Sequence, residues 1–464
     1  MEFQTPVLAP AAAEITLLTL TCVVLLVDAF LSQARRDVTY LLTLLTIVST
    51  AFVVAFMTGE GAQVTFSGHF VNDPMARVLK LVVLATTGMV FLYSRDYLAR
   101  ENIYRGEFFV LALFATLGMM VMISAHSLLS VYLGLELLSL SLYALVAFNR
   151  DSGNAAEAAM KYFVLGAIAS GCLLYGMSLL YGAAGTLDLA ELSARIADGE
   201  TLSDLWVLVG LAFLLVGIAF KFGAVPFHMW LPDVYQGTPT PVTLFVGSAP
   251  KVAAFAMAIR LLVDGLGSIG EAWQSMLIVL AVASMALGNI VAIAQTNIKR
   301  MLAYSTISHV GFILMGILSG SEDGYRAAMY YTIAYVIMAT AAFGMVILLS
   351  RRGYEAENLD DFKGLNRRSP WFAGMMLIVM FSMAGVPPFL GFYAKIAVIA
   401  AAVDANLTWL AILAVVLSVI GAFYYLLVVK LMYFDDPADE PARSEEHTSE
   451  LQSLTNRGCP RERE

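Results

Sequence analysis

The stretch AFKFGAVPFHMWLPD, Ala219 to Asp233, ends an apolar segment with a lysine, a histidine and two prolines. Pro226 has no backbone N–H to donate and interrupts any helix that reaches it. Unwound backbone is tolerated inside a bilayer only where protein or water covers it. The stretch therefore predicts a broken membrane helix with Lys221 and His228 beside the break, at a position that does more than anchor the chain.

The composition is that of a protein embedded in lipid. Of the 464 residues, 59% are hydrophobic and 14% are charged, whereas soluble domains carry about a quarter charged residues. Apolar runs of about 20 residues recur along the chain, and this length crosses the hydrocarbon core of a bilayer. The runs are continuous rather than alternating, which argues against a β-barrel. We predict an all-α polytopic membrane protein whose main surroundings are the lipid bilayer.

The apolar runs predict thirteen membrane spans. The twelfth is too long for one straight crossing and contains Gly385-Val386-Pro387-Pro388, so we interpret it as a second broken helix. The predicted spans are 11–31, 39–58, 76–94, 108–124, 128–148, 161–182, 204–224, 241–263, 273–294, 300–318, 326–349, 371–400 and 408–434.

The two breaks share a sequence pattern that indicates an internal duplication. The first break and the second, 162 residues later, align Gly223, Pro226 and Phe227 with Gly385, Pro388 and Phe389. Interrupted helices at corresponding places in two inverted halves point to a transport site. The predicted units are helices one to three in 1–107, a five-helix repeat in 108–263, a second repeat in 264–434 and a polar tail in 435–464.

The loops predict the orientation. Lys and Arg concentrate in the odd-numbered loops, as they do on the cytoplasmic side of membrane proteins. This places the N-terminus outside, although the loop after span seven has no basic residue. The basic residues of the odd loops are Arg35, Arg36, Arg95, Arg100, Arg105, Arg150, Lys299, Arg300, Arg351, Arg352, Lys363, Arg367 and Arg368.

Several function classes are excluded by what the sequence lacks. The net charge is −9 and there is no basic stripe, so nucleic acid is not an expected partner. The spacing of Cys22, Cys172 and Cys459 suggests neither a disulfide framework nor a metal or iron–sulfur site. There is no phosphate-binding glycine loop and no nucleophile–base pair. We therefore expect this chain to bind no cofactor itself.

Four ionisable residues lie inside predicted spans, where a charge is costly and usually marks function. Each has a structural alternative. Glu136 could be a carboxyl that is hydrogen-bonded within the bundle, and Lys251 could be paired only for assembly. Lys221 could snorkel to the inner interface, and Lys395 could cap a helix end.

The roles of two histidines and of three charged residues near span ends are more ambiguous. His309 lies in mid-span among hydroxyls, as either a packing residue or a proton carrier, and His228 could be a loop residue. Lys161 begins span six, where snorkelling is expected. Glu14 and Asp28 lie near the ends of span one, where interfacial placement is expected.

These residue types together suit proton transfer. Desolvation favours the neutral amine of a buried lysine, while a nearby carboxylate favours the ammonium. A Glu–Lys pair whose separation changes therefore switches its lysine between holding and releasing a proton. Several such lysines, joined by histidine and water, form a relay.

The sequence resembles the antiporter-like membrane subunits of respiratory complex I, the NADH-quinone oxidoreductase, and most closely the N subunits. The resemblance covers nearly everything from the first span to about residue 434. The motifs that carry it are YLGLELLSLSLYAL from Tyr132, FKFGAVPFHMWLPDVYQGTPTPVTLF from Phe220, SAPKVAAF from Ser248, NIKRMLAYSTISHVGF from Asn297 and FSMAGVPPFLGFYAKI from Phe381.

The resemblance implies fourteen helices, inverted five-helix repeats and breaks in helices seven and twelve. It implies that Glu136, Lys221, Lys251 and Lys395 form a charged axis coupled to quinone reduction in other subunits, with His309 bridging the halves. Thirteen spans are found, so the last helix is expected to be missing. The tail RSEEHTSELQS, Arg443 to Ser453, looks like the translation of a sequencing-library adapter, the alternative being an ordinary polar tail.

The expected function is that of a non-redox, proton-translocating subunit of NADH-quinone oxidoreductase. In this reading NADH, flavin, iron–sulfur clusters and quinone belong to other subunits. The partners are other membrane subunits, including neighbouring antiporter-like ones, in a bacterial inner membrane. The alternatives are a subunit of a multisubunit sodium/proton antiporter, a purely structural scaffold, or a solute carrier.

Overall fold

The computed structural model describes residues 6–59, 61–199, 201, 203–350 and 355–437. The first half of the chain forms α1 (Ala12–Phe30), α2 (Arg36–Phe56), α3 (Pro74–Arg100), α4 (Gly106–Ile123), α5 (Leu128–Val146), α6 (Gly153–Ala184), α7 (Leu189–Ala197), α8 (Asp204–Phe222) and α9 (Trp230–Gly237). The second half forms α10 (Thr240–Gly247), α11 (Ala249–Ala258), α12 (Gly270–Ile293), α13 (Ile298–Leu318), α14 (Glu322–Leu349), α15 (Leu365–Arg368), α16 (Pro370–Ala384), α17 (Leu390–Asp404) and α18 (Thr408–Tyr433). The tail from residue 443 and the expected fourteenth helix lie outside the described residues.

Short elements join these helices. Strands β1 (Gln63–Thr65) and β2 (Phe70–Asn72) form an antiparallel hairpin between α2 and α3, with Val64 opposite Val71. Residues Ile259–Gly265 extend α11 as a π-helix. Single 3-10 turns occupy Ala9–Ala11, Gln33–Arg35, Gly267–Ile269 and Leu359–Phe362.

The predicted all-α membrane fold is confirmed. In the described ranges, 12 helical segments are long and apolar enough to cross a membrane, counting Thr240–Gly265 as one. The twelfth predicted span, which is not among these 12 segments, is α16 followed by α17. Each has 15 residues, or about 22 Å at 1.5 Å per residue, which is shorter than the hydrocarbon core of a bilayer. The predicted second break is therefore present.

The start of span six was predicted wrongly. Helix α6 begins at Gly153, eight residues before the predicted start. The side chain of Ser152 accepts a hydrogen bond from the N–H of Ala155 and caps the helix, and the alanine-rich turn that follows favours helix. Lys161 therefore lies two turns inside α6 rather than at its start.

Both breaks have the same local geometry. Gly223 follows α8 with φ +78°, and Gly385 follows α16 with φ +87°, in the left-handed region that only glycine adopts without strain. The N–H of the next residue bonds back five residues in each case, from Ala224 to Ala219 and from Val386 to Phe381. The chain then passes the prolines before α9 and α17 begin.

A second correspondence lies where neighbouring helices touch. A Cβ added to Gly118 would lie 2.5 Å from the backbone nitrogen of Leu138, and one added to Gly288 would lie 2.6 Å from that of Ser308. Each residue of the second contact lies 170 positions after its counterpart in the first, Gly288 after Gly118 and Ser308 after Leu138. Helices α4 and α5 thus approach each other as α12 and α13 do. These matches favour the duplicated arrangement, whose unit boundaries remain a prediction.

The centre of the molecule is formed by helices that protein surrounds on all sides. Every residue of α10 and α11 is buried, and so are nearly all residues of α13. In contrast, α1, α2, α6 and α18 expose large apolar side chains, as helices that face lipid do. Polar groups on the central helices are therefore isolated from lipid and solvent, and this is where the site lies.

Candidate functional site

Lys251 binds the carboxyl end of the first broken helix. Its Nζ donates to the carbonyl oxygen of Phe222, the last residue of α8, at 2.7 Å, and lies 5.4 Å from the centre of the Trp230 ring. The last carbonyls of a helix lack partners within it and carry negative charge. The break therefore creates a site for an ammonium group. Lys251 is only 1% exposed.

Lys395 binds the equivalent atom of the second break. Its Nζ donates to the carbonyl oxygen of Ala384, the last residue of α16, at 2.8 Å, and to the hydroxyl of Ser418 at 2.8 Å. Ala384 lies 162 residues after Phe222. The ammonium lies 5.3 Å from the Phe312 ring centre. Lys395 thus caps a helix end, as one interpretation anticipated, but it does so while buried. It comes from the second half of its own broken helix, whereas Lys251 comes from a neighbouring helix.

Lys221 lies in the last turn of α8, beside the first break, and Glu136 lies on α5. Lys221 is buried and donates to the hydroxyl of Ser139 at 3.0 Å, so it does not snorkel. Glu136, one turn before Ser139 on α5, accepts a hydrogen bond from Ser170 of α6. Among the described residues the predicted Glu136–Lys221 pair forms no direct ion pair. The two charges interact at longer range.

A small cavity lies beside Lys221. It has a volume of about 10 Å³, and its polar lining side chains are Ser139, Tyr143, Ser170 and Lys221. This is about the volume that one water molecule requires. The polar atoms around it supply the two or more partners that a buried water needs. Glu136 is connected to the cavity through the hydrogen bond from Ser170. The site can therefore connect the Glu136 side to the Lys221 side through a single bridging molecule.

His309 makes hydrogen bonds through both ring nitrogens. Nδ1 lies 2.8 Å from the hydroxyl of Tyr331, and Nε2 lies 3.1 Å from that of Tyr425. Tyr425 is also hydrogen-bonded to Ser305. Tyrosine hydroxyls both donate and accept, so they accommodate either neutral tautomer of the histidine and its charged form. A buried imidazole held in this way can take a proton on one side and release it on the other.

Tyrosines link the centre to His309. The hydroxyl of Tyr335 lies within hydrogen-bond distance of two acceptors, the hydroxyl of Thr306 at 2.8 Å and the carbonyl oxygen of Gly247 at 3.2 Å. Its ring centre lies 5.2 Å from that of His309. Sequence reasoning missed Tyr331, Tyr335 and Tyr425, because aromatic residues in apolar helices usually only pack. The available signal was tyrosine, rather than phenylalanine, in helices predicted to be buried.

The two remaining candidates lie outside this connected set. His228 is half-buried in the first break, and its Nδ1 has no hydrogen-bond partner within the described ranges. Lys161 is largely exposed and forms ion pairs with Glu157 at 2.9 Å and Asp233 at 2.7 Å. Asp233 also binds Arg300 at 2.8 Å. Lys161 therefore belongs to a surface cluster.

Two buried ionic groups were not anticipated from the sequence. Glu14 forms an ion pair with Lys80 at 2.6 Å, and both are buried by protein, while the interfacial depth expected for Glu14 stays a prediction. Lys299, expected in a basic loop, is 1% exposed and contacts Glu355 and Glu357. In both cases the partner lies far away in sequence, and only folding reveals the pair.

Comparison with known proteins identifies the family to which this chain belongs. The family described as NADH:quinone oxidoreductase/Mrp antiporter, TM, matches residues 125–421. The chain is 59% identical over 440 residues to NADH-quinone oxidoreductase subunit N of Thioalkalivibrio sulfidiphilus, covering 95% of this chain and 92% of that protein. A chain of respiratory complex I from Thermus thermophilus is 32% identical with a TM-score of 0.79, covering 96% and 94%. A chain of the Mrp complex from Dietzia sp. is 25% identical with a TM-score of 0.78, covering 94% and 82%.

Two broken helices with buried lysines at their ends, in an all-helical membrane fold, define the class of antiporter-like membrane subunits. Relatives at 56–59% identity share one printed name. The chain belongs to the family of NADH-quinone oxidoreductase subunit N.

Proposed function

We propose that this chain moves protons across the membrane through the buried residues described above, as a subunit of NADH:quinone oxidoreductase. The observation that carries the proposal is the placement of Lys251 and Lys395 on equivalent carbonyls of two broken helices. A purely structural scaffold would gain nothing from burying three lysines and half-burying Glu136, because each buried charge costs several kcal/mol to desolvate. The names of the close relatives support the assignment to this enzyme.

In the first half, a charge change at Glu136 would be sensed by Lys221. Lys221 has a neutral hydroxyl partner, whereas Lys251 has a carbonyl at a helix end. The two lysines repel when both are charged. A proton that arrives at Lys221 therefore favours proton release from Lys251, and the carbonyl of Phe222 holds a proton on Lys251 when Lys221 is neutral.

In the second half, the proton passes from the centre to Lys395. Tyr335 contacts Thr306 and the carbonyl of Gly247. It also lies beside His309, which interacts electrostatically with Lys395. In this proposal each hydroxyl accepts one proton while it donates another. Lys395 is the terminal donor or acceptor, held by Ala384 and Ser418. The direction of movement depends on which terminal group faces which side of the membrane.

This proposal assigns no redox centre to the chain. NADH, flavin, iron–sulfur clusters and quinone would belong to other subunits. Within the described residues there is no group of three or more His, Cys, Asp or Glu side chains that could hold a metal ion. The partners would be the other membrane subunits of the complex, including neighbouring antiporter-like subunits. The membrane would be a bacterial inner membrane, and the basic loops favour an orientation with the N-terminus outside.

The proposal is tested by Glu136→Gln in the assembled complex in membrane vesicles. The measurement is the number of protons moved per NADH oxidised, together with the amount of chain in the complex. We expect a lower ratio in this variant and an unchanged ratio in Glu322→Gln, which alters an exposed carboxylate on α14. A wild-type ratio in Glu136→Gln with normal assembly contradicts the role.

A sodium/proton antiporter subunit is the competing function, and the Mrp chain shares this fold. The higher identity to NADH-quinone oxidoreductase relatives favours the oxidoreductase. Proton transport that requires NADH oxidation, and that continues without sodium, distinguishes the two. Transport that stops when sodium is withdrawn favours the antiporter.

A further inference from the structure

A polar surface cavity lies beside the connection between α14 and α15. Its residues are not part of the proton route proposed above. The cavity has a volume of about 370 Å³ and opens to the surface. Its lining is almost entirely polar and draws on elements distant in sequence. Among the lining residues are Asn149, Asn154, Thr238, Lys299, Glu355 and Glu357. The connection carries Lys363 and α15 carries Arg367 and Arg368, so this face is predicted to be cytoplasmic.

Two carboxyl groups and one ammonium meet in this cavity. Lys299 contacts Glu355 at 3.4 Å and also pairs with Glu357, and its Nζ donates to the carbonyl oxygen of Thr238 at 3.0 Å. Asn297 donates to Glu357 at 3.3 Å. One ammonium thus faces two acids, and two carboxyl groups this close share a proton rather than both ionising.

The surroundings decide which acid holds that proton. Burial raises the pKa of Glu355, and the neighbouring Glu357 raises it further. Burial alone would raise the pKa of Glu357 too, but the hydrogen bond from Glu355 and the charge of Lys299 lower it below its ordinary value. Glu355 is therefore the protonated member and Glu357 the carboxylate.

Other charged groups frame the cavity. Glu101 and Tyr97 face it from the end of α3. Glu157, Lys161 and Asp233 line an adjoining cavity of about 250 Å³ that shares Asn154 and Glu357 with it, and Arg300 binds Asp233 there. Glu157, Lys161, Asp233 and Arg300 form ion pairs with one another, whereas Lys299 is the cation paired with the two acids of the α14–α15 connection.

Hydroxyl groups lead inward from the cavity. Thr238 and Thr243 are hydrogen-bonded through their side chains at 2.9 Å, and Thr243 also donates to the carbonyl oxygen of Tyr235 at 2.9 Å. The Tyr235 hydroxyl is buried and has no hydrogen-bond partner in the part of the chain that the structure describes. It lies beside Gly247, where an added Cβ would meet it at 3.1 Å.

The inner end of these hydroxyls meets the buried site. The hydroxyl of Tyr335 lies within hydrogen-bond distance of the carbonyl of Gly247 and of the Thr306 hydroxyl. The Tyr235 hydroxyl interacts electrostatically with both side chains.

Polar groups therefore extend from the surface cavity toward the neighbourhood of His309, but Thr243 bonds the backbone carbonyl of Tyr235 and not its hydroxyl. Among the described residues the buried hydroxyls of Tyr235 and Thr240 have no hydrogen-bond partner, and a water or proton carrier would have to join Thr243 to the Tyr235 hydroxyl.

We propose that Lys299, Glu355 and Glu357 form a proton-uptake port that supplies the buried site through Thr238, Thr243 and Tyr235. The proposal rests on the proposed function. Glu355 gives its proton to the first hydroxyl or water of the file, and each hydroxyl accepts one proton while passing on its own. Glu355 is then reprotonated from the cavity, so one proton moves inward and no group is consumed. Lys299 keeps Glu357 ionised and leaves the shared proton on Glu355.

The test uses Glu355→Gln and Thr243→Val in the assembled complex, with protons moved per NADH oxidised as the measurement. Two matched controls exist. Asp360→Asn alters a carboxylate on the same connection that pairs with Lys363. Thr332→Val removes a buried hydroxyl that bonds only to Ala328 of its own helix. We expect both test variants to fall to the ratio of Glu136→Gln, and both controls to keep the wild-type ratio.

The pH profile and a conservative variant separate uptake from structure. In the wild type the ratio should fall as pH rises through the raised pKa of Glu355, and Glu355→Asp should keep this fall at reduced amplitude. Glu355→Gln should be low at every pH. Wild-type ratios in both Glu355→Gln and Thr243→Val, while Glu136→Gln is impaired, overturn the port and leave the proposed function intact. A wild-type ratio in Glu136→Gln instead overturns the proposed function.

Discussion

Replacing Gly385 with alanine should displace the Lys395 ammonium from the second break. Gly385 has φ +87°, and a Cβ at this position would lie 2.8 Å from Cδ of Lys395 and 3.2 Å from its Nζ. Real Cβ atoms do not approach carbon this closely, so the lysine side chain must move. Because its Nζ bonds the carbonyl of Ala384, the adjacent residue, movement breaks that contact.

The cost has two parts. Left-handed backbone at a non-glycine residue costs roughly 1–2 kcal/mol. Loss of a hydrogen bond from a charged group costs roughly 1.5–3 kcal/mol. Together they predict a destabilisation of about 2.5–5 kcal/mol. If Lys395 shifts without losing its carbonyl partner, only the backbone part remains.

Two glycine variants provide the controls. Gly374→Ala lies on α16 with no atom within 4 Å of the added Cβ, and it should be neutral or stabilising by roughly 0.5–1 kcal/mol. Gly223→Ala imposes similar backbone strain at the first break, where the added Cβ meets Leu231 rather than a lysine. The thermal stability of the purified complex and its proton-to-NADH ratio are measured for all three.

The expected pattern is specific. Gly385→Ala should lower both stability and the proton ratio, Gly223→Ala should lower stability, and Gly374→Ala should lower neither. Wild-type stability and pumping in Gly385→Ala would refute the assignment of Lys395 to the carbonyl end of α16. A pumping defect that Gly374→Ala shares would show that the assay does not report on the break.

Three further predictions concern other parts of the molecule. Tyr335→Phe should lower the proton-to-NADH ratio, because it removes a hydroxyl from the proposed route. Tyr330→Phe, at a more exposed position on the same helix, should leave the ratio unchanged. Equal ratios in the two variants would exclude Tyr335 from the route. Glu14→Gln alone should destabilise the chain by roughly 3–5 kcal/mol because it leaves Lys80 buried without a counter-charge, and adding Lys80→Met should restore most of that loss; an additive double variant would contradict the pairing. Since the pKa of Glu355 is raised, the folded state holds more protons than the unfolded state between the ordinary and the raised pKa. Stability should therefore fall as pH rises through this interval, and thermal unfolding of Glu355→Gln against pH should lack that fall.

The structure confirms most of what the sequence predicted about the fold. Continuous apolar runs predicted the helices, because a bilayer forces backbone groups to bond within each segment. Gly223 and Gly385, followed by proline, predicted the two breaks. The start of α6 was wrong, because hydropathy registers where lipid begins, whereas a helix begins at its cap, here Ser152.

For the candidate site, the sequence identified most of the residues, but their pairing required the structure. The sequence alone identified Glu136, Lys221, Lys251, Lys395 and His309, since an ionisable group in mid-span is visible in the order of residues. It could not pair them, because the pairing depends on which helices touch. Only the tertiary structure placed Lys251 and Lys395 on equivalent carbonyls, turned tyrosines toward His309, and brought Lys299 to acids more than fifty residues away in sequence. An ionisable residue within a long apolar run is visible in the sequence because its neighbours in the chain are apolar, whereas a hydrogen bond between helices depends on how the helices pack.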